Sequence, residues 1–360
     1  TGRFPSQLPP APGSTPNAGV SVRYLAVQPP LTPVAAGSTA LVKVDAAGQP
    51  YRWALRLVGS TTRLAGGVSS SAQLPVRVPP LAAGLYELSV HSGSHQTAVP
   101  LVVNAAQSRP APILVVLPAL TWQGENPVDD DDDGVPNTLA DGGPIELARP
   151  LVDGLPAGFA SQAAFLSFLT RSGLRYDLTT DLGLIDGVGP RLAGHAGVVL
   201  AGTERWLPDP TGAALRSYVQ GGGHLLSLGI DSLRRGVTVA GGRAIHPTVR
   251  RRTDALGARP EAVVTGNRDP IVVIRDALGI FSGTPGAWRG YPSYEPIPAL
   301  APPAEIASAA GASASAPSIV GYNLGRGIVV YIALPGFGSS LPRDLAAQQL
   351  VRRLWTVLSG

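Results

Sequence analysis

The sequence predicts two folded parts of different class. An all-β, immunoglobulin-like β-sandwich is expected over residues 20–107, followed over residues 108–360 by an α/β domain of flavodoxin-like, three-layer type. Two observations carry this. Up to about Val103, short runs alternate apolar and polar residues and break at PP, AAG and AAGQP, with no sustained helical period. After the short linker SRPAP (108–112), apolar residues run continuously in strand-length blocks that alternate with helical spacing. That pattern belongs to a parallel sheet covered on both faces.

In order, residues 1–19 (TGRFPSQLPPAPGSTPNAG) are rich in Pro, Gly and Ser and read as a linker or tail. The sandwich strands are VSVRYLAV, STALVKVD, YRWALRLV, AQLPVRVP, LYELSVHSG and TAVPLVVN, with Trp53 and Tyr86 as core aromatics. His91 and His95 flank a glycine turn and read as an exposed hairpin tip. In the second part, Ile113–Leu117 is a buried strand ended by Pro118. A helix follows over 161–171, with Ser161 as N-cap and Gly173 as its stop. Leu174–Leu178, Gly197–Ala201 and His224–Leu228 are further strands, and Thr211–Gln220 a helix. Ile319–Tyr322 and Ile328–Leu334 flank NLGRG as a hairpin, residues 301–317 read as a surface loop, and Leu341–Leu358 closes the chain as an amphipathic helix carrying Leu345, Leu350, Leu354 and Leu358. His195 and His246 read as loop residues.

Composition narrows the function. Hydrophobic residues make up 44% and charged residues 14%, which excludes charge-driven disorder, while Gly 44 and Pro 36 call for many turns. No apolar run approaches the length of a membrane span. The formal net charge is +4, almost all of it arginine, with Lys43 the only lysine and Arg250, Arg251 and Arg252 the only triplet. Without interleaved aromatics this is not a nucleic-acid surface. The chain has no cysteine, so thiolate nucleophiles, disulfides and Cys-based zinc sites are excluded. It also has no methionine and starts at Thr1, which gives the expectation of a processed, exported protein of the extracellular space or cell surface. The partners in keeping with that are a cell-envelope component or a second copy joined through an exposed edge strand.

In an open α/β sheet, ligands bind at the carboxyl ends of the strands. PALTWQGENP, GTERWLPD and GIDSLRRG fall there. Ser232 in the last lacks a G-x-S-x-G elbow and a base partner. Beside the first stands NPVDDDDDGVPNT (126–138). With Asp129 as position 1, Asp131 and Asp133 take positions 3 and 5, Gly134 the sharp turn, Val135 a backbone carbonyl and Asn137 position 9. This is the oxygen-rich register that Ca²⁺ requires. Position 12 is Ala140, so the closing carboxylate has to come from Asp141 or Glu146 in a calcium-loop insertion near 129–141. The run also resembles the calcium loops of thrombospondin type 3 repeats.

AGLYELSVHSGSHQTAVPLVVN, ILVVLPALTWQGEN, LRYDLTTDLGL, VVLAGTERW and LRSYVQGGGHLLSLGIDS, in this order from Leu81 to Gly236, resemble the large subunit of N,N-dimethylformamidase and its relatives. The resemblance implies a β-sandwich ahead of a domain of class I glutamine amidotransferase type. It also implies a mononuclear iron site of tyrosines and a glutamate, with a nearby histidine, that hydrolyses a small amide. The family pattern Thr-Trp-Gln-Ala-Tyr-Asn stands here as Thr121, Trp122, Gln123, Gly124, Glu125, Asn126. The pattern His-Asp-Glu-Tyr-Trp stands as Gly202, Thr203, Glu204, Arg205, Trp206. A phenolate ligand and the histidine are lost, so iron is not expected, and without cysteine neither is amidotransferase chemistry. The leading expectation is a non-catalytic binding or structural protein on a degenerate amidohydrolase scaffold, stabilised by calcium. The alternative is a metal-dependent hydrolase of small amides using Glu125 and Glu204. The simplest structural fate of Glu204 is an ion pair with Arg205 or Arg234.

Overall fold

Alternation builds the first part. Thr39–Asp45 buries Ala40, Val42 and Val44 and exposes Thr39, Leu41 and Lys43. It is the middle of a three-stranded sheet with Ala26–Gln28 and Gln73–Arg77. A five-stranded sheet, ordered Val34–Ala35, His95–Asn104, Gly84–Ser92, Tyr51–Leu57, Arg63–Ser69, faces it. Val27, Val42, Val44 and Val76 from one sheet and Leu55, Tyr86, Leu88 and Leu101 from the other form one core. Tyr86 is fully buried, whereas Trp53 is half-buried at its margin. His91 and His95 sit exposed on either side of the Gly93 turn, where Ser92 pairs with His95. The computed structural model describes residues 25–80, 83–105, 110–131, 133–152 and 154–360. The tail 1–19, the start of the strand expected from Val20, and Ser108 and Arg109 of the linker lie outside the described residues.

Continuous apolar runs build the second part, because both faces of its sheet are covered. In Ile113–Leu117, Ile113, Val115 and Leu117 enter one core while Leu114 and Val116 enter the other. The nine strands run in the order Asp177–Thr180, Ile113–Leu117, Gly197–Leu200, His224–Ser227, Gly327–Ile332, Pro317–Leu324, Ser308–Gly311, Ile271–Asp276, Ala287–Trp288. The first five are parallel and the rest pair antiparallel. The helices are α1 Ala119–Gly124, α2 Phe159–Arg171, α3 Asp181–Asp186, α4 Asp209–Gln220, α5 Phe337–Ser340 and α6 Leu345–Ser359. On one face α2 and α6 contribute Phe165, Leu169, Leu350, Leu354 and Leu358. On the other, α4 contributes Leu215 and Val219. Each such side chain is worth about 1.5–3 kcal/mol on full burial. No helix among the described residues is long and apolar enough to cross a membrane.

Several expected boundaries move. α2 begins at Phe159 behind Gly158, which takes the left-handed conformation as N-cap, so Ser161 lies inside the helix. The strand expected at 174–178 pairs instead over Asp177–Thr180, in register with Leu114–Leu117. α4 starts two residues early, at Asp209. α6 starts at Leu345 behind the Asp344 cap, which leaves Leu345 exposed rather than on the apolar face. Residues 301–317 are not all surface loop: Ser308–Gly311 is an inner, fully buried strand. Its alanines look featureless in sequence, yet Ala309 and Ala310 fill opposite cores. His195 lies in a loop, as expected, but is buried, with Nε2 3.1 Å from an Asp177 oxygen.

Candidate functional site

The parallel strands end together. Pro118 follows the first, Gly202 the third and Gly229 the fourth, and Pro335 and Gly336 follow Gly327–Ile332. These turns and the start of α2 enclose a cleft of about 260 Å³. Its walls include Thr121, Trp122 and Glu125 from α1 and its C-cap, Gln162 and Phe165 from α2, and Thr203 and Arg205 from the third strand's loop. Two of the three segments expected at the carboxyl edge thus meet in one place, and Leu228, Gly229 and Ile230 bring in the third.

Helix α1 has no cap of its own, since Pro118 precedes it. The cap comes from Asp181, which accepts from the backbone N–H of Leu120 at 3.0 Å and of Leu182 at 2.7 Å. A carboxylate at a helix start is favoured by the free N–H groups and the helix dipole. Against Asp181 lies Glu204. Both are 1% exposed, and neither oxygen of Glu204 has a well-aligned hydrogen-bond partner. Burial raises the Glu204 carboxyl far above its usual range, and the Asp181 charge beside it raises it further. Burial also pushes Asp181 up, to about 7, while its backbone donors oppose that shift. Asp181 holds the N–H donors, so Glu204 is the member that keeps a proton. The expected pairing of Glu204 with Arg205 or Arg234 is not found. Arg234 lies instead 3.6 Å from Glu295, and Arg205 turns into the cleft.

There Arg205 meets Glu125 at 2.5 Å and Asp231 at 3.5 Å. Asp231 also takes Arg235 at 2.5 Å and sits in a left-handed turn, with φ 51°. Burial raises the Glu125 carboxyl and Arg205 pulls it back down. Glu125 and Glu204 therefore have separate partners, one in the cleft and one beneath its floor. Gly124 lets Trp206 pack against α1: a Cβ there would lie 2.8 Å from the indole. Gly202, at φ 153°, has no room either, because a Cβ would lie 2.6 Å from the Gln162 amide nitrogen. Gln162 is itself buried, and its Oε1 has no partner.

The described aspartates of the acid run take two directions. Asp129, Asp131 and Asp133 bring one carboxylate oxygen each within 4.8 Å of one another, a spacing that suits one oxygen-liganded cation. Asp129 also accepts from the backbone N–H groups of Asp131, Asp133 and Gly134. Asp130 turns the other way, to the Arg149 guanidinium at 2.8 Å. Asn137 accepts from the Asp130 backbone N–H, Asp141 accepts from the Thr138 hydroxyl at 2.6 Å, and Val135 donates its N–H to Asp133 at 2.7 Å. Three of the six expected ligands thus converge, while the side chains of Asn137 and Asp141 are engaged elsewhere. Glu146, the other candidate to close the loop, pairs with Arg243 at 2.8 Å. Arg149 organises this whole loop, donating to the carbonyls of Gln123, Asn126, Val128 and Asn137.

Asp181, Gln162 and Arg149 escape a reading by motif. The one signal was a lone arginine in an apolar stretch, LARP, which suggests burial with partners. The chain matches the family described as "N,N-dimethylformamidase beta subunit-like, C-terminal" over residues 69–275, more than half its length. No curated protein matches it. Among solved structures, a β-galactosidase from Rahnella sp. R3 aligns at 15% identity and TM-score 0.39, over 54% of this chain and 26% of that one. A β-galactosidase from Bacillus circulans sp. alkalophilus aligns at 16% identity and TM-score 0.33, over 53% and 26%. The exo-β-1,4-mannosidase Op5Man5 from Opitutaceae bacterium strain TAV5 aligns at 14% and 0.34, over 55% and 31%. This chain spans about a third or less of those proteins, and likeness at that level carries no functional argument.

Proposed function

The chain belongs to the N,N-dimethylformamidase beta subunit-like family, and we propose that it is a non-catalytic member that keeps the family's cleft as a binding site. The observation that carries this is the 2.5 Å ion pair between Glu125 and Arg205. Both stand where the family patterns have tyrosine. A phenolate pair would attract a metal, whereas a carboxylate already neutralised by a guanidinium does not. The histidine place is Gly202, and Gln162 fills the space beside it. Residues of this kind do not fit the iron centre that the resemblance implies, so no hydrolytic step is derived through one.

In this reading the two β-sheets of residues 20–107 are an immunoglobulin-like sandwich. Residues 108–360 are a flavodoxin-like domain of amidotransferase type, in keeping with the parallel order, second-first-third-fourth-fifth, of its leading strands. Asp129, Asp131 and Asp133 take a calcium ion that stabilises the loop over the carboxyl edge. An exported or cell-surface location, with a cell-envelope partner or a second copy, belongs to the same reading and rests on the calcium-type loop.

One observation favours a metal-dependent hydrolase of small amides instead: the buried carboxyl of Glu204, whose oxygens have no well-aligned hydrogen-bond partner. With Glu125 it would supply oxygen ligands. Elemental analysis of protein purified without chelator or added metal, run beside an assay of N,N-dimethylformamide hydrolysis, separates the readings. No transition metal and no hydrolysis is the expected result, with about one calcium per chain taken up on equilibrium dialysis against millimolar calcium. Stoichiometric iron, zinc or manganese with turnover would overturn the non-catalytic reading.

A further inference from the structure

A second cavity, of about 270 Å³, lies beside the start of α4 and shares no lining residue with the cleft. We propose that it binds a small phosphomonoester.

Charge on the segment Asp231–Arg259 is sorted by depth. The segment holds seven arginines and two aspartates. Both aspartates are committed inside. Asp254 accepts from the N–H groups of Leu256, Gly257 and Ala258 and from the Tyr331 hydroxyl, and Asp231 holds Arg235. Arg250, Arg251 and Arg252 are exposed. The acids face in, Arg234 is buried beside Glu295, and the arginine triplet faces out, which leaves the outer side of the segment positive.

Three arginines from separate elements line the cavity: Arg216 from α4, Arg235 from the turn after the fourth parallel strand, and Arg251 from the triplet. Among the described residues, the one carboxylate lining it is Asp209, the first residue of α4, which stands 65% exposed. Arg251 grips it with two bonds, of 2.7 and 3.0 Å. This fork-to-carboxylate geometry is the one a guanidinium offers to phosphate oxygens. Asp209 is thus a weaker, internal stand-in for a doubly charged group. Gly236 makes the arrangement fit, since a Cβ there would lie 2.8 Å from the Arg251 guanidinium and 2.9 Å from Asp209. Leu207 and Leu233 add an apolar wall, which suits the organic part of an ester and is of no use to a free ion.

The experiment is isothermal titration of the full chain with n-butyl phosphate and with inorganic phosphate, repeated on R251Q, R216Q and D209N. Thermal melts verify that each variant folds. Butyl phosphate is expected to bind more tightly than inorganic phosphate and to weaken as salt rises. R251Q and R216Q should each weaken it about tenfold or more, as the loss of a charge-assisted bond predicts. D209N should tighten it by removing the competing carboxylate. No binding in the millimolar range, or binding unchanged in folded R251Q, would overturn the site. Equal binding of the two probes would overturn the ester and leave a bare anion site. R251Q is the decisive variant because that side chain is 46% exposed and its loss opens no core.

Discussion

Arg149→Ala is the most informative single change. The guanidinium is 3% exposed and reaches four carbonyls, of Gln123 at 2.6 Å, Asn126 at 3.0 Å, Asn137 at 3.1 Å and Val128 at 3.3 Å. It also reaches Gln123 Oε1 at 3.3 Å and Asp130 at 2.8 Å. Asp130 is 11% exposed, so truncation strands a nearly buried charge. Breaking one partner of such a pair costs about 3–5 kcal/mol. Each buried carbonyl left unpaired adds about 1–3 kcal/mol where water cannot replace the donor. The sum exceeds what a loop can lose before it opens, so the realised cost is capped by local unfolding of residues 126–150. The expected result is about 3 kcal/mol or more lost in urea unfolding, together with rapid proteolysis and hydrogen exchange confined to that loop. Arg149→Lys keeps the charge but not the fork and should recover only part of the loss. A loss under about 1 kcal/mol, with the loop still protected, would refute the assignment of Arg149 as the loop's anchor.

Three further outcomes follow from the same geometry. Glu204 has a folded-state pKa raised above its unfolded value, so its stabilising protonated form is fully present below the ordinary carboxylate range. That contribution fades as the pH rises through the folded value, at up to about 1.4 kcal/mol per pH unit. Denaturation of Glu204→Gln from pH 5 to 8 should therefore show a shallower fall than the parent protein, and an unchanged slope would sink the shared-proton picture. Gly202→His should destabilise the protein, and Gln162→Ala in the same chain should restore part of the loss, because Gln162 occupies the space the new side chain needs; a null effect in thermal melts would deny the crowding. Asp131→Ala should abolish calcium-dependent stabilisation, with the bound form weak, on the order of 0.1–1 mM; calorimetry showing calcium binding untouched would remove Asp131 from the ligand set.

Much of the site was legible in sequence, and the limits have physical causes. Segments flanking apolar strands were expected at the carboxyl edge, and the cleft gathers TWQGE, GTER and LGI there. The register of the acid run picked out Asp129, Asp131 and Asp133, since alternate residues of an extended turn share a side. The partners were not legible. Glu204 meets Asp181, Glu125 meets Arg205, and Asp130 meets Arg149, each across a stretch of chain that no local period spans. The strand Ser308–Gly311 failed for a related reason: serine, alanine and glycine carry no apolar signature, and its place between two strands rests on long-range pairing.

The sequence by itself determined the change from alternating to continuous apolar runs, and with it the change from two facing sheets to a sheet covered on both sides. Burial pattern is a local property of composition and period, so it survives without coordinates. The sequence also determined that cysteine chemistry is excluded. Only the tertiary structure decided which charges neutralise which. Gln162, Asp181, Arg149 and Arg205 acquire their roles from the low dielectric and the close approach of segments distant in sequence. A buried group must find its partner in space, whatever its neighbours in sequence.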